Sequence, residues 1–242
     1  MKYVIVAENF PEDSAEKLKK YGEVVRTRAN KKLLSGLDTH TDILVHPLPS
    51  GELVVDRDNF EYYKKIFPDK KILPSHSKLS KKYPKDIPLN AFTFKNYFIH
   101  NLKYTDKVLL DYYKNSGYQM IDIKQGYTKC SSLVTNDFMI TSDGGIYESL
   151  KDFIPTYKIN HGEIKLENFN YGFIGGASGV LGKKIFFTGD LSHHSSHEEI
   201  LKIIKKYDYE IEILSKDPIE DFGSIFFIKW FKLLLGSFFI AP

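Results

Sequence analysis

The sequence contains few of the residues on which several common kinds of protein site depend. Cys130 is its only cysteine, which we take to exclude an internal disulfide and any cysteine-based zinc site. Arg26, Arg28 and Arg57 are its only arginines, so planar, bidentate recognition of phosphate is mostly unavailable. The formal net charge of +3 is too small to indicate nucleic acid as the partner. We therefore expect no DNA partner and, from cysteine usage, a reducing, cytoplasmic location.

Neither end of the chain has the pattern of a targeting or membrane-spanning segment. The first apolar run, residues 3–7, is short, is followed by Glu8 and lacks a small-residue cleavage site. Residues 223–242 are strongly apolar, but Lys229 and Lys232 interrupt them. Each central lysine costs roughly 2.5–3.5 kcal/mol on a membrane-insertion scale. The sequence therefore predicts no transmembrane span and an apolar tail of unknown role over residues 229–242.

An internal repeat organises the rest of the chain. Each copy has an apolar strand, a turn rich in Gly, Asn or Asp, a second apolar strand that ends on Asp or Asn, a helix and a short closing strand. A capping residue, Thr105, is predicted to begin one helix, and capping boxes at Ser195 and Ser196 are predicted to begin another. The paired strands are predicted over residues 43–45 and 52–56, 91–94 and 97–101, 132–134 and 138–143, and 173–176 and 185–190.

A fifth copy at the start of the chain lacks its first strand, and residues 223–228 supply a spare one. The predicted fold is therefore α+β: a pseudo-fivefold ring, or α/β propeller, of ββαβ units in one domain over residues 1–228. In such a ring each second strand would lie near the axis. The residues at the five strand ends would then face one cavity and bind a small cationic or polar ligand; they are Asn9, Asp56, Asn101, Asp143 and Asp190. An ordinary α+β domain without repeat symmetry is the alternative.

Two runs, QGYTKCSSLVTNDFMITSDGGI and NYGFIGGASGVLGKKIFFTGDLSHH, resemble an uncharacterised bacterial branch of the guanidino-group-modifying-enzyme, or pentein, fold superfamily. The resemblance implies chemistry at a guanidinium carbon, with a thiolate nucleophile, a histidine that shuttles protons and carboxylates that hold the cation. In those enzymes the nucleophilic cysteine lies in the closing strand. Here that strand, residues 220–228, reads EDFGSIFFI and has no cysteine.

The candidate catalytic residues each have a functional and a structural interpretation. Cys130 is a relocated nucleophile activated by Lys129 or a histidine, or else a half-buried small apolar residue. Asp143 and Asp190 are ligand anchors, caps at helix N-termini, or both. His193, the histidine nearest in sequence to Asp190, is the proposed proton shuttle or else a solvated turn residue.

Two further patterns bear on cofactors. His193 and His197 with Asp190 could ligate zinc, but their spacing is a weak signal, so we expect no metal and no other cofactor. Gly176 lies in the run 175–179, which lacks the lysine and helix of a phosphate loop. A bulge or a close approach of substrate is the expected role of this run.

These patterns predict a small-molecule-binding protein, in its specific form a hydrolase of guanidine or amide-like substrates. A catalytic Cys130 is expected to react with iodoacetamide faster than a free thiol does. The alternative is a non-catalytic binding protein with a macromolecular partner such as the ribosome. The missing closing-strand cysteine favours this alternative, and the lysine-rich residues 64–85 offer a surface for it.

Overall fold

The computed structural model describes residues 2–229, which fold into five three-stranded sheets, six short α-helices and two 3₁₀ helices, Lys19–Tyr21 and Arg57–Asn59. The helices are α1 (Glu12–Leu18), α2 (Thr41–Leu44), α3 (Phe60–Ile66), α4 (Lys107–Asn115), α5 (Gly144–Leu150) and α6 (His197–Lys206). The strands are β1 (Lys2–Val6), β2 (Glu23–Arg26), β3 (Val45–Pro47), β4 (Leu53–Val55), β5 (Ile72–Pro74), β6 (Phe92–Phe94), β7 (Tyr97–His100), β8 (Gln119–Asp122), β9 (Ser132–Val134), β10 (Met139–Thr141), β11 (Thr156–Lys158), β12 (Ser178–Leu181), β13 (Lys184–Phe187), β14 (Glu210–Ile213) and β15 (Phe226–Lys229).

All five sheets share one topology, which confirms the α+β class and the repeat. The sheets are β15-β1-β2, β3-β4-β5, β6-β7-β8, β9-β10-β11 and β12-β13-β14. In each sheet the middle strand pairs antiparallel with the first strand of its unit and parallel with the last. The C-terminal strand β15 completes the N-terminal unit, with Ile5 opposite Phe226.

The middle strands are apolar because both of their faces are covered. Leu53, Val54 and Val55 of β4 are each fully buried, as expected for a strand between two packed layers rather than at a surface. The helix that follows each middle strand packs its apolar side onto the sheet. In α3, for example, Tyr63 is fully buried, and the adjoining Phe67 meets the ring of Tyr3 edge-on at 5.1 Å. Burial of each such side chain contributes about 1.5–3 kcal/mol.

Two predicted first strands begin later than the sequence indicated. Residues 43–44, predicted as strand, belong to the one-turn helix α2, which is closed by the Leu44 N–H donating to the carbonyl of His40. Residues 173–176 precede β12, because the Gly176 N–H donates to the carbonyl of Cys130 in the neighbouring unit instead of to its own sheet. In both places a hydrogen bond outside the sheet replaces strand pairing.

Two helix starts also differ from the prediction. Asp106, not Thr105, caps α4, since its carboxylate accepts from the Val108 N–H at 2.9 Å. The capping boxes predicted for α6 are wrong: Ser196 precedes the helix without a side-chain cap. The Ser195 hydroxyl and N–H instead contact Glu163 in a preceding loop.

The first strand of each unit, rather than the second, lines the hollows where the sheets meet. Two adjacent hollows of about 230 and 190 Å³ share lining residues from three first strands or the residues next to them. Together their walls include residues of β3, β6, β9, β12 and β15. The second strand is the middle strand of its sheet and is flanked on both sides, so the expectation that second strands lie nearest the axis is wrong.

Among residues 2–229, none of the helices has the length and apolar composition needed to cross a membrane. The backbone of Lys229, predicted to begin the apolar tail, pairs with β1 as the last residue of β15. The rest of the predicted tail, residues 230–242, lies outside the described residues.

Candidate functional site

A cluster of polar side chains lies where the segments that precede the five first strands converge. We call it the polar centre; its members are His40, Asp42, Asn90, Lys129, Cys130, Asp221 and Ser224. All except the half-buried Lys129 are at most 3% exposed. Polar groups removed from water to this degree require partners within the protein. The arrangement therefore depends on contacts between units.

A circuit of hydrogen bonds links the five units around the polar centre. The Asp42 N–H donates to the Gly223 carbonyl at 2.8 Å, and the Asn90 side-chain amide donates to the Asp42 carbonyl at 3.1 Å. The Lys129 N–H donates to the Asn90 carbonyl at 3.0 Å. The Gly176 N–H donates to the Cys130 carbonyl at 2.9 Å, and the Ser224 N–H returns to the Gly176 carbonyl at 2.7 Å. Each unit thus fixes the position of the next.

Cys130 is held between an amide donor and a carboxylate acceptor. Its thiol lies 2.9 Å from Asp42 Oδ1, to which it donates, and 3.0 Å from the Asn90 Nδ2 that donates to it. Burial, followed by the negative charges of Asp42 and Asp221, raises the pKa of the thiol well above its ordinary value. Burial also raises the pKa of Asp42. The free protein therefore holds a protonated thiol next to a potential proton acceptor.

Ser224 connects Asp42 to Lys129. Its hydroxyl lies 2.6 Å from Asp42 Oδ2, 2.8 Å from the Gly175 carbonyl and 2.9 Å from Lys129 Nζ. The backbone of Ser224 has φ of +71°, a left-handed conformation that costs a non-glycine residue roughly 1–3 kcal/mol. Burial lowers the pKa of the Lys129 ammonium. These contacts hold a strained residue in the closing segment.

His40 and Asp221 form the side of the polar centre that faces a cavity. The His40 Nδ1 lies 3.8 Å from Asp221 Oδ1 and has no hydrogen-bond partner within the described part of the chain. Burial lowers the pKa of the imidazole, which is therefore neutral at pH 7. Asp221 accepts from the backbone N–H groups of Phe173 and Gly223, each at 2.9 Å, and burial raises its pKa to about 7.

The cavity has a volume of about 260 Å³ and reaches the polar centre at three residues, His40, Cys130 and Asp221. The rest of its wall is apolar and aromatic apart from Asn170 and consists of Leu37, Tyr127, Leu166, Phe169, Asn170, Tyr171 and Phe173. Aromatic faces and a carboxylate both attract cations, the former through the ring quadrupole. A small planar cation with an apolar extension matches this lining.

The structure brings only some of the sequence-predicted residues to this place. Cys130 and Lys129 belong to the polar centre, and Gly176 lies directly against it, since a Cβ there would be 1.9 Å from Asp221 Oδ1. His193 is exposed and is not among the cavity-lining residues within the described chain.

The second-strand carboxylates serve their own helices and turns. Asp143 caps α5 by accepting from the Ile146 N–H at 2.7 Å and also accepts from Gln125. Asp190 accepts from the N–H and hydroxyl of Ser192. Asp56 is fully buried and binds the Asn30 amide at 2.9 Å. None of the three lines the cavity, as far as the described residues show.

The two predicted asparagines are likewise engaged locally. Asn9 is exposed and accepts from the Thr39 hydroxyl at 2.9 Å. Asn101 is half-buried and donates to the Lys124 carbonyl at 2.9 Å. A ligand-binding role for these five strand-end residues remains a prediction without support from their positions.

Sequence reasoning missed His40, Asp42, Asn90 and Asp221. Asp42 lies in the one-turn helix α2 and the other three lie in irregular segments, so none belongs to a strand or helix long enough to show periodicity. One signal was present: Asp42, Asn90, Cys130, Gly176 and Ser224 all precede a predicted or observed first strand, about one repeat apart. A search for polar or glycine residues at the start of each repeat would have found Asp42 and Asn90, although not His40 or Asp221.

The comparisons with known proteins agree with the fold. The model of a family of unknown function, DUF6873, matches residues 5–226. A comparison with curated protein sequences found no match. Among solved structures, a mutant of DDAH from Pseudomonas aeruginosa complexed with citrulline aligns with a TM-score of 0.54 at 7% identity, over 94% of this chain and 98% of the other.

Two further structures align comparably. An adduct of dimethylarginine dimethylaminohydrolase with S-methyl-L-thiocitrulline has a TM-score of 0.52 at 8% identity, over 88% of this chain and 92% of that one. An adduct of the same kind of enzyme with 4-chloro-2-hydroxymethylpyridine has a TM-score of 0.50 at 8% identity, over 91% and 92%. At such identities the likeness concerns the fold, and it confirms the predicted pentein fold.

Proposed function

Because the chain belongs to the DUF6873 family and has the pentein fold, we propose that it binds a small guanidinium compound in the cavity beside Cys130 and hydrolyses it. The observation that carries the proposal is the convergence of a thiol, a carboxylate and an imidazole on one aromatic-walled cavity. The related fold of an enzyme complexed with citrulline, a ureido compound, agrees with this substrate class.

The proposed ligand pose follows from the cavity wall. The planar cation stacks among Tyr127, Tyr171 and Phe173 and points toward Asp221 and the sulfur of Cys130. The Asp221 carboxylate supplies the counter-charge when it is ionised. A cavity of about 260 Å³ admits a guanidinium with a short chain but not a macromolecule. The substrate is therefore a free small molecule.

The proposed reaction uses Cys130 as nucleophile. The thiol proton passes through Asp42, 2.9 Å away, and His40 to the departing amine while the S–C bond forms and a C–N bond of the substrate breaks. Water then attacks the same carbon and the S–C bond breaks. One water proton re-forms the thiol, and the other leaves with the amine as ammonium. A ureido compound and an ammonium ion are the products.

We also infer that the five units close into the predicted α/β propeller ring. The circuit of hydrogen bonds through Asp42, Asn90, Lys129, Gly176 and Ser224 supports this inference. Closure matters for function because it brings residues from all five units to one place.

Turnover of a guanidine panel tests the proposed function. Protein treated with EDTA is incubated with methylguanidine, agmatine and arginine, and ureido product and released amine are both measured. We expect equal amounts of the two products from at least one compound, and their loss in Cys130→Ser and His40→Gln. His193→Gln is the matched control and retains activity because His193 does not line the cavity. Turnover that survives Cys130→Ser contradicts the mechanism.

A non-catalytic binding protein is the second candidate. The observation in its favour is that the thiol is protonated and buried, while Ser224 occupies the closing segment. This candidate predicts that guanidine compounds bind without turnover. Calorimetric titration in parallel with the product assay distinguishes the two.

A further inference from the structure

We propose that His40, Asp42 and Cys130 form a binding site for a zinc ion at the inner end of the cavity. One potential ligand atom from each residue lies within 4.8 Å of the others. All three residues are buried and come from two different units of the fold. The proposal goes beyond the proposed hydrolase, since a bound metal would occupy the thiol that the hydrolase needs.

The donor set has the chemistry of a zinc site. A thiolate and an imidazole are ligands that zinc prefers over calcium or magnesium, and a carboxylate completes a common three-residue set. The single cysteine led us to exclude a cysteine-based zinc site from the sequence, but a mixed set of ligands needs only one cysteine.

The orphaned nitrogen of His40 is an independent observation. His40 Nδ1 is buried and without a hydrogen-bond partner among the described residues. An unpartnered buried polar group costs roughly 1–3 kcal/mol. Binding of an ion to the imidazole ring, or the reorientation of the ring that accompanies binding, would therefore offset that cost.

The Cys130–Asp42 contact indicates how the ion enters. Their sulfur and oxygen lie 2.9 Å apart and share the thiol proton. Ligand atoms around tetrahedral zinc are about 3.5 Å apart, so a modest outward movement admits the ion. Zinc replaces the proton: the S–H bond breaks, a Zn–S bond forms and the proton goes to solvent. No electron transfer is involved.

The cavity supplies the remaining coordination position. His40 and Cys130 both line it, so a water molecule or a ligand can complete the tetrahedron from that side. Three protein ligands with one open position are typical of catalytic or inhibitory zinc rather than of closed structural sites. At this place zinc would block thiol chemistry, so we expect it to inhibit guanidine turnover.

Metal titration of the full chain tests the proposal. Metal-free protein is titrated with Zn²⁺ by calorimetry and with Co²⁺ by absorption, where a thiolate ligand gives a charge-transfer band in the near ultraviolet. We expect one equivalent of each metal to bind. Cys130→Ser should abolish the band, and His40→Gln and Asp42→Asn should each weaken binding by at least tenfold.

The matched control is the double variant His193→Gln with His197→Gln, which removes the exposed His193 and the half-buried His197 near Asp190 and should change neither result. Thermal unfolding of each metal-free variant verifies that it folds. Absence of stoichiometric binding to the wild type, retention of the band in Cys130→Ser, or loss of binding only in the double control would each overturn the proposal. The guanidine assay contains EDTA, so its outcome is independent of this one.

Discussion

Two regions of the molecule contain carboxylates at the ends of regular elements, and they differ in what those carboxylates contact. Asp143 and Asp190 follow second strands and accept hydrogen bonds from residues two or three positions later in their own segments. Asp42 and Asp221 precede first strands and contact residues of other units. The first pair satisfies local backbone, whereas the second pair is buried among groups that only the complete fold assembles.

This difference distinguishes carboxylates that cap a helix or turn from carboxylates that form a functional site. A capping carboxylate at a helix N-terminus faces solvent and costs little to bury. A carboxylate in the interior is expensive unless several donors surround it, and such places are where perturbed pKa values and function coincide. The polar centre, not the strand-end carboxylates, has this character.

The largest expected difference between the two regions is in how strongly the loss of a carboxylate destabilises the protein. Asp42→Ala removes the acceptor of the Cys130 thiol and the Ser224 hydroxyl and leaves Lys129 without its nearby charge. We expect a loss of about 3–5 kcal/mol in the free energy of unfolding, measured with urea. The control Asp143→Ala should lose only about 1 kcal/mol, as for a helix cap. Equal losses in the free energy of unfolding would contradict the distinction between the two regions.

Two glycines, Gly176 beside the polar centre and Gly144 after Asp143, extend the comparison of the two regions to the backbone. A Cβ at Gly176 would lie 1.9 Å from Asp221 Oδ1, and Asp221 is fixed by two backbone donors. Gly176→Ala should therefore destabilise by about 1–3 kcal/mol. At Gly144, in the first turn of α5, the nearest atom is Lys158 Nζ at 3.6 Å, so Gly144→Ala should be neutral or stabilising. Thermal unfolding of both variants checks this, and a reversed order contradicts it.

A smaller effect is expected in the way that pH changes the affinity for a cation. The pKa of Asp221 is raised to about 7, so its carboxyl is mostly neutral at pH 6 and mostly ionised at pH 8. Only the ionised form attracts a cation, so the affinity for methylguanidine should increase with pH, about tenfold between pH 6 and pH 8. Burial lowers the pKa of His40, which disfavours a competing positive charge beside Asp221. Calorimetry at several pH values measures the dependence.

Asp221→Asn should remove most of the affinity and flatten this profile. Asp190→Asn is the matched control, because Asp190 is partly exposed and pairs with Ser192. An affinity that does not change with pH, or that falls in Asp190→Asn, contradicts the role given to Asp221.

The sequence was informative where structure is periodic and misleading where one signal has two causes. Runs such as Ile185–Phe187 alternate with turn residues at a fixed repeat, so the five sheets and the terminal closure could be predicted. An aspartate after a strand, by contrast, is typical of both helix caps and ligand sites. Asp143 was a candidate for both roles, and its contact with the Ile146 N–H is that of the first.

The polar centre could not be predicted because the residues that contact one another in it are distant in sequence. The contact between Ser224 and Asp42 joins residues 182 positions apart, and that between Cys130 and Asp42 joins residues 88 positions apart. No local pattern encodes such pairs, which form only when residues from different units come together in the fold. Cys130 was a candidate nucleophile with Lys129 or a histidine as its activator, but its observed partners Asp42 and Asn90 could not be named.

The expectation of a fast-reacting thiol also changes with the structure. Burial raises the pKa of Cys130, so a neutral reagent such as iodoacetamide should react more slowly with the folded protein than with a free thiol. A cation beside the sulfur would stabilise the thiolate. We therefore expect the reactivity of the Cys130 thiol to depend on a cation in the cavity.

Alkylation of Cys130 by two matched reagents tests the central claim most directly. Iodoacetamide is neutral, whereas an α-haloacetamidine with the same leaving group carries a planar cation next to its reactive carbon. Located by mass spectrometry, the label should reach Cys130 at least tenfold faster from the amidine, after correction for the two reagents' rates with a free thiol. Asp221→Asn should remove this preference, and Asp190→Asn should retain it. Equal corrected rates in the wild type, or an unchanged preference in Asp221→Asn, would contradict the account.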